Sequence, residues 1–404
     1  MPESGKLRVA VLFGGKSGEH EVSLASARSV MDAMDKDKYE IYPIGIDKTG
    51  EWLTSGDPMA LLSAGGKAGS ETGAPGAEQG PGGNPALQAE EARGAGSETG
   101  APGAKEEQAG RLALRERRDL VPGTSGHRFP QVDVVFPVLH GTFGEDGTLQ
   151  GLLEMADLPY VGAGVLGSAV GMDKAVMKSV LQANHLPVVE YVLVLRKAWR
   201  ARPTEQLTRV EAQFSYPVFV KPANLGSSVG VSKAHDRQEL VRGLDLAARF
   251  DRKILVERAV NAREIECSVL GNDDPIASVV GEVVPCNEFY DYNAKYISED
   301  SALHIPADLP EATARQVREL AVRAFMALDC AGMARADFFV CRDTGAVYIN
   351  ELNTIPGFTS ISMYPKLWAA SGIPYSELID RLITLALERY ADKHSSETSY
   401  NFDH

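Results

Sequence analysis

Two carboxylates and an amide stand at matching positions on either side of a short turn near the end of the chain. The stretch 333–362 reads MARADFFVCRDTGAVYINELNTIPGFTSIS, with two apolar runs around an Asp-Thr-Gly turn. A three-residue loop that ends in glycine is typical of a β-hairpin, because its last position needs a positive φ. Pairing the strands outward from this turn predicts that Asp337 faces Glu351 and that Arg335 faces Asn353.

The same pairing predicts that Phe339 faces Ile349 and that all six side chains lie on one face of the sheet. Two opposed carboxylates would lie about 5 Å apart at Cβ and would repel each other, and the apolar side chains nearer the turn cannot compensate their charge. A hard divalent cation can, since Mg²⁺ binds Asp, Glu and Asn oxygens together with substrate phosphates. We therefore predict a metal site formed by Asp337, Glu351 and Asn353. Neutralisation of the two acids by Arg335 alone is the alternative.

Composition bounds the class of protein. The chain has 404 residues, of which 44% are hydrophobic, and it carries a formal net charge of −14. That length suffices for two or three domains with real cores, and the acidic balance argues against a nucleic-acid or membrane partner. The absence of a secretory leader and of any apolar run of about 18 residues predicts a soluble cytoplasmic protein. The four cysteines lack metal-ligand spacing and are predicted to be buried in a reducing compartment.

The first 46 residues predict the start of a doubly wound parallel sheet. A strand at Leu7–Phe13 leads into a glycine loop, a helix capped by Ser23 runs through Met34, and a second strand covers Tyr39–Ile46. The glycine spacing is not that of a dinucleotide-binding loop. We interpret the loop as part of a substrate site, with Glu21 facing the cleft.

A segment at about 64–111 differs from the rest of the chain. It is rich in Gly, Ala, Pro, Glu and Gln, and the decapeptide AGSETGAPGA occurs in it twice, at 68–77 and 95–104. Such a composition cannot bury enough apolar surface to offset its ordering entropy. We predict a surface insertion without fixed structure or chemistry, followed by a short charged helix at 111–119.

A histidine follows the next predicted strand. The strand covers Val132–Leu139, His140 comes directly after it, and a helix is predicted at Thr148–Met155. Open α/β sheets place their sites at the carboxyl ends of strands, so His140 is a candidate site residue. An exposed loop histidine is the alternative.

Two lysines stand where an anion could bind. Residues 162–171 are predicted to be a Gly/Ala linker, and Asp173 caps the next helix, whose first turn carries Lys174. A cation at a helix N-terminus is unfavourable unless it holds an anion. The strand Tyr216–Lys221 ends on the second lysine, before the loop ANLGSSVG. This loop is no P-loop, but its N–H groups and hydroxyls fit an alternative phosphate clamp; an ordinary hairpin loop is the alternative.

Acids and aromatic residues further along the chain could hold a nucleoside. Glu257 and Glu264 could accept hydrogen bonds from a base or ribose at a domain junction, although either could be a solvated surface acid. Phe289 offers a stacking face, and Lys295 and Tyr296 are candidates to line the reacting centre. The remaining predicted elements are strands at 253–257 and 265–270, a helix capped by Asp236 that ends at Phe250, and helices at 310–328 and 375–390.

Seven motifs, in order, resemble D-alanine:D-alanine ligases of the ATP-grasp superfamily. They are HEVSL (20–24), LHGTFGEDGTLQG (139–151), MDK (172–174), VKPANLGSSVGVSK (220–233), EFYDYNAKY (288–296), RADFF (335–339) and NELNTIPGFTSISMYP (350–365). The resemblance covers nearly the whole chain apart from the insertion. It implies an α/β fold (α+β in the ATP-grasp part): an N-terminal doubly wound domain at 1–162, then ATP-grasp domains at 163–257 and 258–404 with ATP between their sheets.

The resemblance also implies roles for individual residues. The trio that positions the first D-alanine and an active-site loop would be Glu21, Ser227 and Tyr296. His140 would lie near the carboxylate of that D-alanine. The ATP contacts would be Lys174, Lys221, Lys295, Ser228, Glu257, Glu264 and Phe289. Two Mg²⁺ or Mn²⁺ ions would bind Asp337, Glu351 and Asn353. Arg335 and the Gly357 N–H would stabilise an oxyanion, and Ser362 and Met363 would contact the second D-alanine.

The implied activity is ATP-dependent ligation of two D-alanine molecules through an acyl phosphate, for peptidoglycan precursors, by a cytoplasmic homodimer. The YDYNAKY pattern favours an amine acceptor, and a D-alanine:D-lactate or D-serine ligase is the alternative. Two rivals of other classes are a nucleotide-binding module without catalysis and a scaffold whose insertion recruits partners.

Overall fold

The computed structural model describes residues 5–65, 131–284 and 302–397. Most of the predicted insertion, the predicted helix at 111–119 and the candidates Phe289, Lys295 and Tyr296 lie outside the described residues. Within those ranges the chain forms three β-sheets with helices packed on them, which confirms the predicted α/β class.

The N-terminal sheet is the predicted parallel one. Its strands are β1 (Leu7–Gly14), β2 (Tyr39–Ile46), β3 (Trp52–Leu53) and β4 (Val134–Pro137), in the order β3-β2-β1-β4. β1 pairs parallel with both β2 and β4, and only the short edge strand β3 is antiparallel. The helices of this part are α1 (His20–Ala33), α2 (Pro58–Gly65) and α3 (Thr148–Met155).

Ser23 does not cap α1, contrary to the prediction. The helix begins at His20, with Glu19 as its N-cap residue. Ser23 is buried in the first turn, where its hydroxyl accepts the Gly14 N–H at 2.8 Å and donates to the Val138 carbonyl. The serine therefore ties the helix to the last residue of β1 and to the loop that follows β4.

The predicted linker at 162–171 is also wrong, because it contains a helix. The structure has α4 (Val165–Met172), followed by α5 (Lys174–Ala183). A Cβ on Gly167 would lie 2.4 Å from the Asp329 carbonyl oxygen, so the small residues serve close packing. Asp173 caps α5 as predicted, accepting two backbone N–H groups at 3.1 Å.

The central sheet is antiparallel. Its strands are β5 (Tyr191–Leu195), β6 (Val218–Pro222), β7 (Ser232–Ala234) and β8 (Lys253–Arg258), in the order β5-β8-β6-β7. The helices are α6 (Arg196–Ala201), α7 (Pro203–Gln213) and α8 (Arg237–Phe250). Asp236 caps α8 as predicted, by accepting the Glu239 N–H at 2.8 Å.

The C-terminal sheet carries the predicted hairpin. Its strands are β9 (Ala262–Gly271), β10 (Ile276–Val284), β11 (Ala302–His304), β12 (Gly332–Cys341) and β13 (Val347–Asn353), in the order β11-β10-β9-β12-β13. The helices are α9 (Glu311–Ala327), α10 (Met363–Ala370) and α11 (Tyr375–His394).

The hairpin register is correct at the acids and wrong nearer the turn. Asp337 pairs with Glu351 as predicted, but Ile349 pairs with Phe338 and not with Phe339. A β-bulge adds Asn350 to β13 between these pairs. Ile349 therefore enters the core, while Asn350 and Glu351 both reach lysines of the cleft.

Packing crosses the predicted domain ranges, whose boundaries stay a prediction. One core joins β1 and β4 to α10 and α11, with Phe13 and Phe136 beside Trp368 and Leu382. Another places Met177 and other residues of α5 among side chains of the C-terminal sheet. No helix in the described ranges is long and apolar enough to span a membrane.

Candidate active site

Two of the predicted phosphate lysines meet the hairpin. Lys174 Nζ lies 3.1 Å from Glu351 Oε2 and donates to the Leu225 carbonyl at 2.9 Å. Lys221 Nζ donates to Asn350 Oδ1 at 3.3 Å. Burial alone would lower the pKa of Lys174, but Glu351 holds it above its usual value, so the side chain is a cation. Both ammonium groups thus line the cleft between the central and C-terminal sheets.

A carboxylate lies between two buried ammonium groups beneath this cleft. Glu257 Oε2 is 2.6 Å from Lys221 Nζ, and Glu257 Oε1 is 3.1 Å from Lys178 Nζ. The second contact is an ion pair by distance without hydrogen-bond alignment. Burial would raise the pKa of Glu257, but the two lysines lower it; burial lowers the pKa of Lys178. Glu257 therefore holds Lys221 in place, and both of its oxygens face lysines.

Lys178 is a site residue that the sequence analysis missed. Its side chain is fully buried on the inner face of α5. Ala175 and Leu181, three residues away on either side, are also buried, so the lysine stands in an apolar stripe. That spacing was a readable signal, because a lysine is almost never buried without a partner.

The opposed acids of the hairpin are neutralised by cations from two sides. Arg335 forms a bidentate ion pair with Asp337, with both nitrogen–oxygen distances at 2.7 Å. Its Nε also lies 3.0 Å from Glu266 Oε2. Burial would lower the pKa of Arg335, but these acids hold it well above its usual value. The alternative of neutralisation by Arg335 alone does not describe the site, since Lys174 pairs with Glu351.

The donor set fits a magnesium or manganese ion bound together with a nucleotide. Asp337 and Glu351 face each other in register, and Asn353 Nδ2 donates to Asp337 at 2.9 Å. Among the residues that the structure describes, no three His, Cys, Asp or Glu side chains converge as a metal cage. Proteins commonly bind Mg²⁺ through one or two carboxylates together with substrate phosphate oxygens. The site therefore does not need a full set of protein ligands.

Glu19, and not Glu21, meets the Ser227 loop. The Ser227 hydroxyl donates to Glu19 Oε1, and a Cβ on Gly226 would lie 3.2 Å from Glu19 Oε2. Glu21 is exposed and pairs with Lys48 at 2.9 Å. The prediction for Glu21 is therefore wrong: two residues further along α1, the side chain points away from the cleft.

The loop itself is held in an uncommon conformation. Ser227 and Ser228 have φ angles of 51° and 59°, and Gly230 has 74°. The Val229 N–H closes a turn there by donating to the Gly226 carbonyl at 3.2 Å. The predicted phosphate clamp stays a prediction.

His140 is buried and neutral. Its Nδ1–H donates to the Ile355 carbonyl at 3.0 Å, because a carbonyl can only accept, and its Nε2 lies 3.2 Å from Ser26 Oγ. Burial lowers the pKa of His140. Both ring nitrogens are engaged by the protein, so a substrate carboxylate could contact the ring only by replacing one of these partners.

The remaining candidates lie around the loop that follows β13. Ser362 is the N-cap residue of α10, and a Cβ on Gly357 would lie 2.7 Å from its hydroxyl oxygen. Met363 is buried in an apolar cluster with Val283. Its side chain therefore belongs to the core, and a substrate contact would fall to its backbone. Glu264 lies on β9, half-buried.

Two family models match most of the chain. The model described as D-ala D-ala ligase N-terminus matches residues 8–163, and the one described as D-ala D-ala ligase C-terminus matches residues 180–384. A D-alanine–D-alanine ligase of Ruminiclostridium cellulolyticum is 51% identical over 396 residues, covering 98% of this chain and 99% of the relative. One of Acetivibrio thermocellus is 50% identical over 388 residues, with 96% and 97% covered.

Solved structures agree. The D-alanine-D-alanine ligase of Coxiella burnetii superposes with a TM-score of 0.73 at 34% identity, covering 97% of each chain. The VanG D-Ala:D-Ser ligase of Enterococcus faecalis gives 0.73 at 33% identity, covering 94% of this chain and 99% of that one. With two matched models spanning both ends and relatives at half identity over nearly the whole length, this chain belongs to the D-alanine–D-alanine ligase family.

Proposed function

We propose that the chain joins two D-alanine molecules, hydrolysing ATP to ADP and phosphate in the same cycle. The observation that supports it most is the meeting of Lys174 and Lys221 with the facing acids Asp337 and Glu351 in one cleft. Such a cleft suits a nucleotide triphosphate, because cations and carboxylate–metal pairs both neutralise phosphate charge. The family membership is the second support.

The chemistry needs activation of a carboxylate. A free carboxylate resists an amine because its charge repels the nucleophile and oxide is a poor leaving group. One D-alanine carboxylate oxygen therefore takes the γ-phosphoryl group of ATP, releasing ADP. Lys174 and Lys221 offset phosphate charge, and the 224–230 loop, with Ser228, covers it. We propose that Ser227, with Glu19 and Tyr296, holds this loop closed so that water does not hydrolyse the acyl phosphate.

Asp337, Glu351 and Asn353 are the residues that would hold the Mg²⁺ or Mn²⁺ ions, two per site. When bound, such ions neutralise the phosphate oxygens and act as Lewis acids. For the nucleoside we propose contacts by Glu264, by Phe289 and by the backbone of Glu257, whose side chain is engaged by lysines, with Lys295 on the phosphates.

The second D-alanine then attacks through its free amine. A new C–N bond forms, the phosphate leaves with the electrons of the broken C–O bond, and the –NH2 nitrogen releases one proton and keeps the other in the amide. Arg335 and the Gly357 N–H would stabilise the negative oxygen of the tetrahedral intermediate; losing one such donor costs roughly 3 kcal/mol of barrier. His140 would border the first D-alanine, with Ser362 and the Met363 backbone at the second.

The deciding experiment measures ADP, phosphate and dipeptide release with D-alanine and with L-alanine. Glu351→Ala should abolish ADP release while the far-ultraviolet circular dichroism stays unchanged. Glu377→Ala, an exposed acid on α11 that pairs with Arg381, is the matched control and should retain full turnover. ADP release by Glu351→Ala would contradict the proposal that Glu351 binds the metal ion. Equal rates with D-alanine and L-alanine would contradict the proposal that the substrate is specifically D-alanine.

A D-serine acceptor is the second candidate, favoured by the equal TM-score of the D-Ala:D-Ser ligase. Product analysis with D-alanine, D-serine and D-lactate in competition separates the acceptors. Deleting 66–111 should leave ligase activity, since the candidate residues lie outside it; loss of activity would instead favour a working role for the insertion. A homodimer and a cytoplasmic location remain predictions, the first testable by light scattering.

A further inference from the structure

The loop between the metal-site strand and Gly357 is held by side chains from the N-terminal part of the chain. Glu145 Oε2 accepts the Gly141 N–H at 2.6 Å, and Glu145 Oε1 accepts the Ile355 N–H at 3.2 Å. His140 Nδ1–H donates to the Ile355 carbonyl at 3.0 Å. Both backbone polar groups of Ile355 are therefore bound by residues far away in sequence.

A third side chain holds the loop just past Gly357. Ser26 Oγ accepts the Phe358 N–H at 3.2 Å and lies 3.2 Å from His140 Nε2. Since Nδ1 of the neutral ring carries the proton, Ser26 donates to Nε2 while accepting from Phe358. Ser26 is fully buried and His140 nearly so. We name Ser26, His140 and Glu145 the Ile355 clamp.

We propose that the Ile355 clamp positions the Gly357 N–H for the acyl-transfer step, with Glu145 and Ser26 as positioning residues. The inference rests on the proposed function. Gly357 lies between the two clamped residues Ile355 and Phe358, so the clamp restricts how far its N–H can move. Donors aimed at developing charge lose effect when misplaced by about 1 Å. The N-terminal part thereby controls a donor supplied by the C-terminal part.

Both oxygens of Glu145 are strong acceptors only when the carboxyl group is ionised, because protonation turns one of them into a hydroxyl. Burial and the neighbouring Glu19 raise the pKa of Glu145 to about 8, while its N–H donors and Lys174 oppose the shift. His140 is the other titratable group in contact with the same loop. The clamp should therefore be tested at pH 9, where Glu145 is ionised.

The experiment compares dipeptide synthesis with positional isotope exchange, using ATP labelled with ¹⁸O in the β,γ-bridge. Exchange reports reversible phosphoryl transfer to D-alanine and does not need the amine attack. At pH 9, Glu145→Gln keeps one acceptor oxygen of two, and we expect dipeptide kcat to fall about tenfold with exchange changed less than about threefold. Ser26→Ala should show the same split with a smaller fall. The ratio of the wild-type kcat for dipeptide synthesis to that of Glu145→Gln should decrease as the pH falls below 8.

The control is Glu154→Gln, which removes an acid of α3 that bonds Tyr160 and Lys393 away from the clamp; its rates should match the wild type. If isotope exchange and dipeptide synthesis fell together in Glu145→Gln and Ser26→Ala, the clamp would have a general structural role and the proposal would be overturned. Unchanged dipeptide synthesis in both variants would also overturn it. A wild-type protein that forms no dipeptide would instead overturn the proposed function.

Discussion

Two glutamates, the buried Glu257 and the half-buried Glu145, have pKa values shifted in opposite directions. Glu257 lies between Lys178 and Lys221, and its pKa is below the usual value. Glu145 lies beside Glu19 and receives two backbone N–H groups, and its pKa is raised to about 8. Burial acts on both carboxyl groups in the same direction. The sign of the nearest charge decides the outcome.

The difference separates two kinds of support. The lysine-flanked acid is a permanent anion whose loss would leave two cations buried. The acid beside Glu19 changes charge near neutral pH, so the contacts that it makes depend on pH. The charges around Glu257, beside the proposed phosphate site, therefore stay fixed over this pH range, whereas the contacts of Glu145 with its two loops change with pH.

The largest effect should come from Glu257→Gln. It leaves Lys178 and Lys221 buried without their counter-charge, and breaking such a pair typically costs about 3–5 kcal/mol. Urea unfolding should show this loss, and the KM for ATP should rise because Lys221 is no longer held. Lys178→Met combined with Glu257→Gln should recover part of the stability. If the free energy of unfolding of Glu257→Gln alone stayed within about 0.5 kcal/mol of the wild-type value, the proposed difference between Glu257 and Glu145 would be wrong.

Glu145 should make stability depend on pH in the opposite sense from an ordinary paired acid. Between its unfolded pKa and about 8, the folded state keeps a proton that the unfolded state has released. The free energy of unfolding contributed by this group therefore falls as pH rises from 5 to 7, by at most about 1.4 kcal/mol per pH unit. Unfolding curves of wild type and Glu145→Gln should diverge over this range, and parallel curves would contradict the raised pKa.

The smallest expected effect is a difference in kcat/KM between the Glu19 and Glu21 variants. Glu19→Gln weakens the Ser227 contact and removes the charge beside Glu145, so kcat/KM for D-alanine should fall about tenfold, equivalent to about 1.4 kcal/mol. Glu21→Gln should match the wild type within twofold, since Glu21 is exposed and pairs with the exposed Lys48. The reverse order of the two variants would restore the prediction from the sequence.

The hairpin shows what a sequence can specify. Strand alternation and a glycine turn are local, and they were enough to predict the pairs Asp337–Glu351 and Arg335–Asn353. The bulge at Asn350 was missed, although two successive polar residues, Asn350 and Glu351, interrupt the alternation of β13. In the structure, Phe338 takes the position opposite Ile349 that was predicted for Phe339.

The loops show the opposite case. Glu19 and Glu21 stand two residues apart in similar surroundings, and which one faces Ser227 depends on where α1 begins. Ser26 and Glu145 gave no signal, since a serine in a helix and an acid in a glycine loop are ordinary. Their importance arises from Ile355, which only the tertiary fold brings beside them.

The shared core of β1, β4 and α11 has a consequence for synthesis of the chain. Leu378, Leu382 and Ile383 cover the same sheet face as Val9 and Val11. A ribosome makes those valines long before the helix that covers them, so this face of the first sheet stays partly uncovered until α11 has been made. Nascent chains that stop short of Tyr375 should therefore be substrates for chaperones and proteases, however well their middle portions have folded.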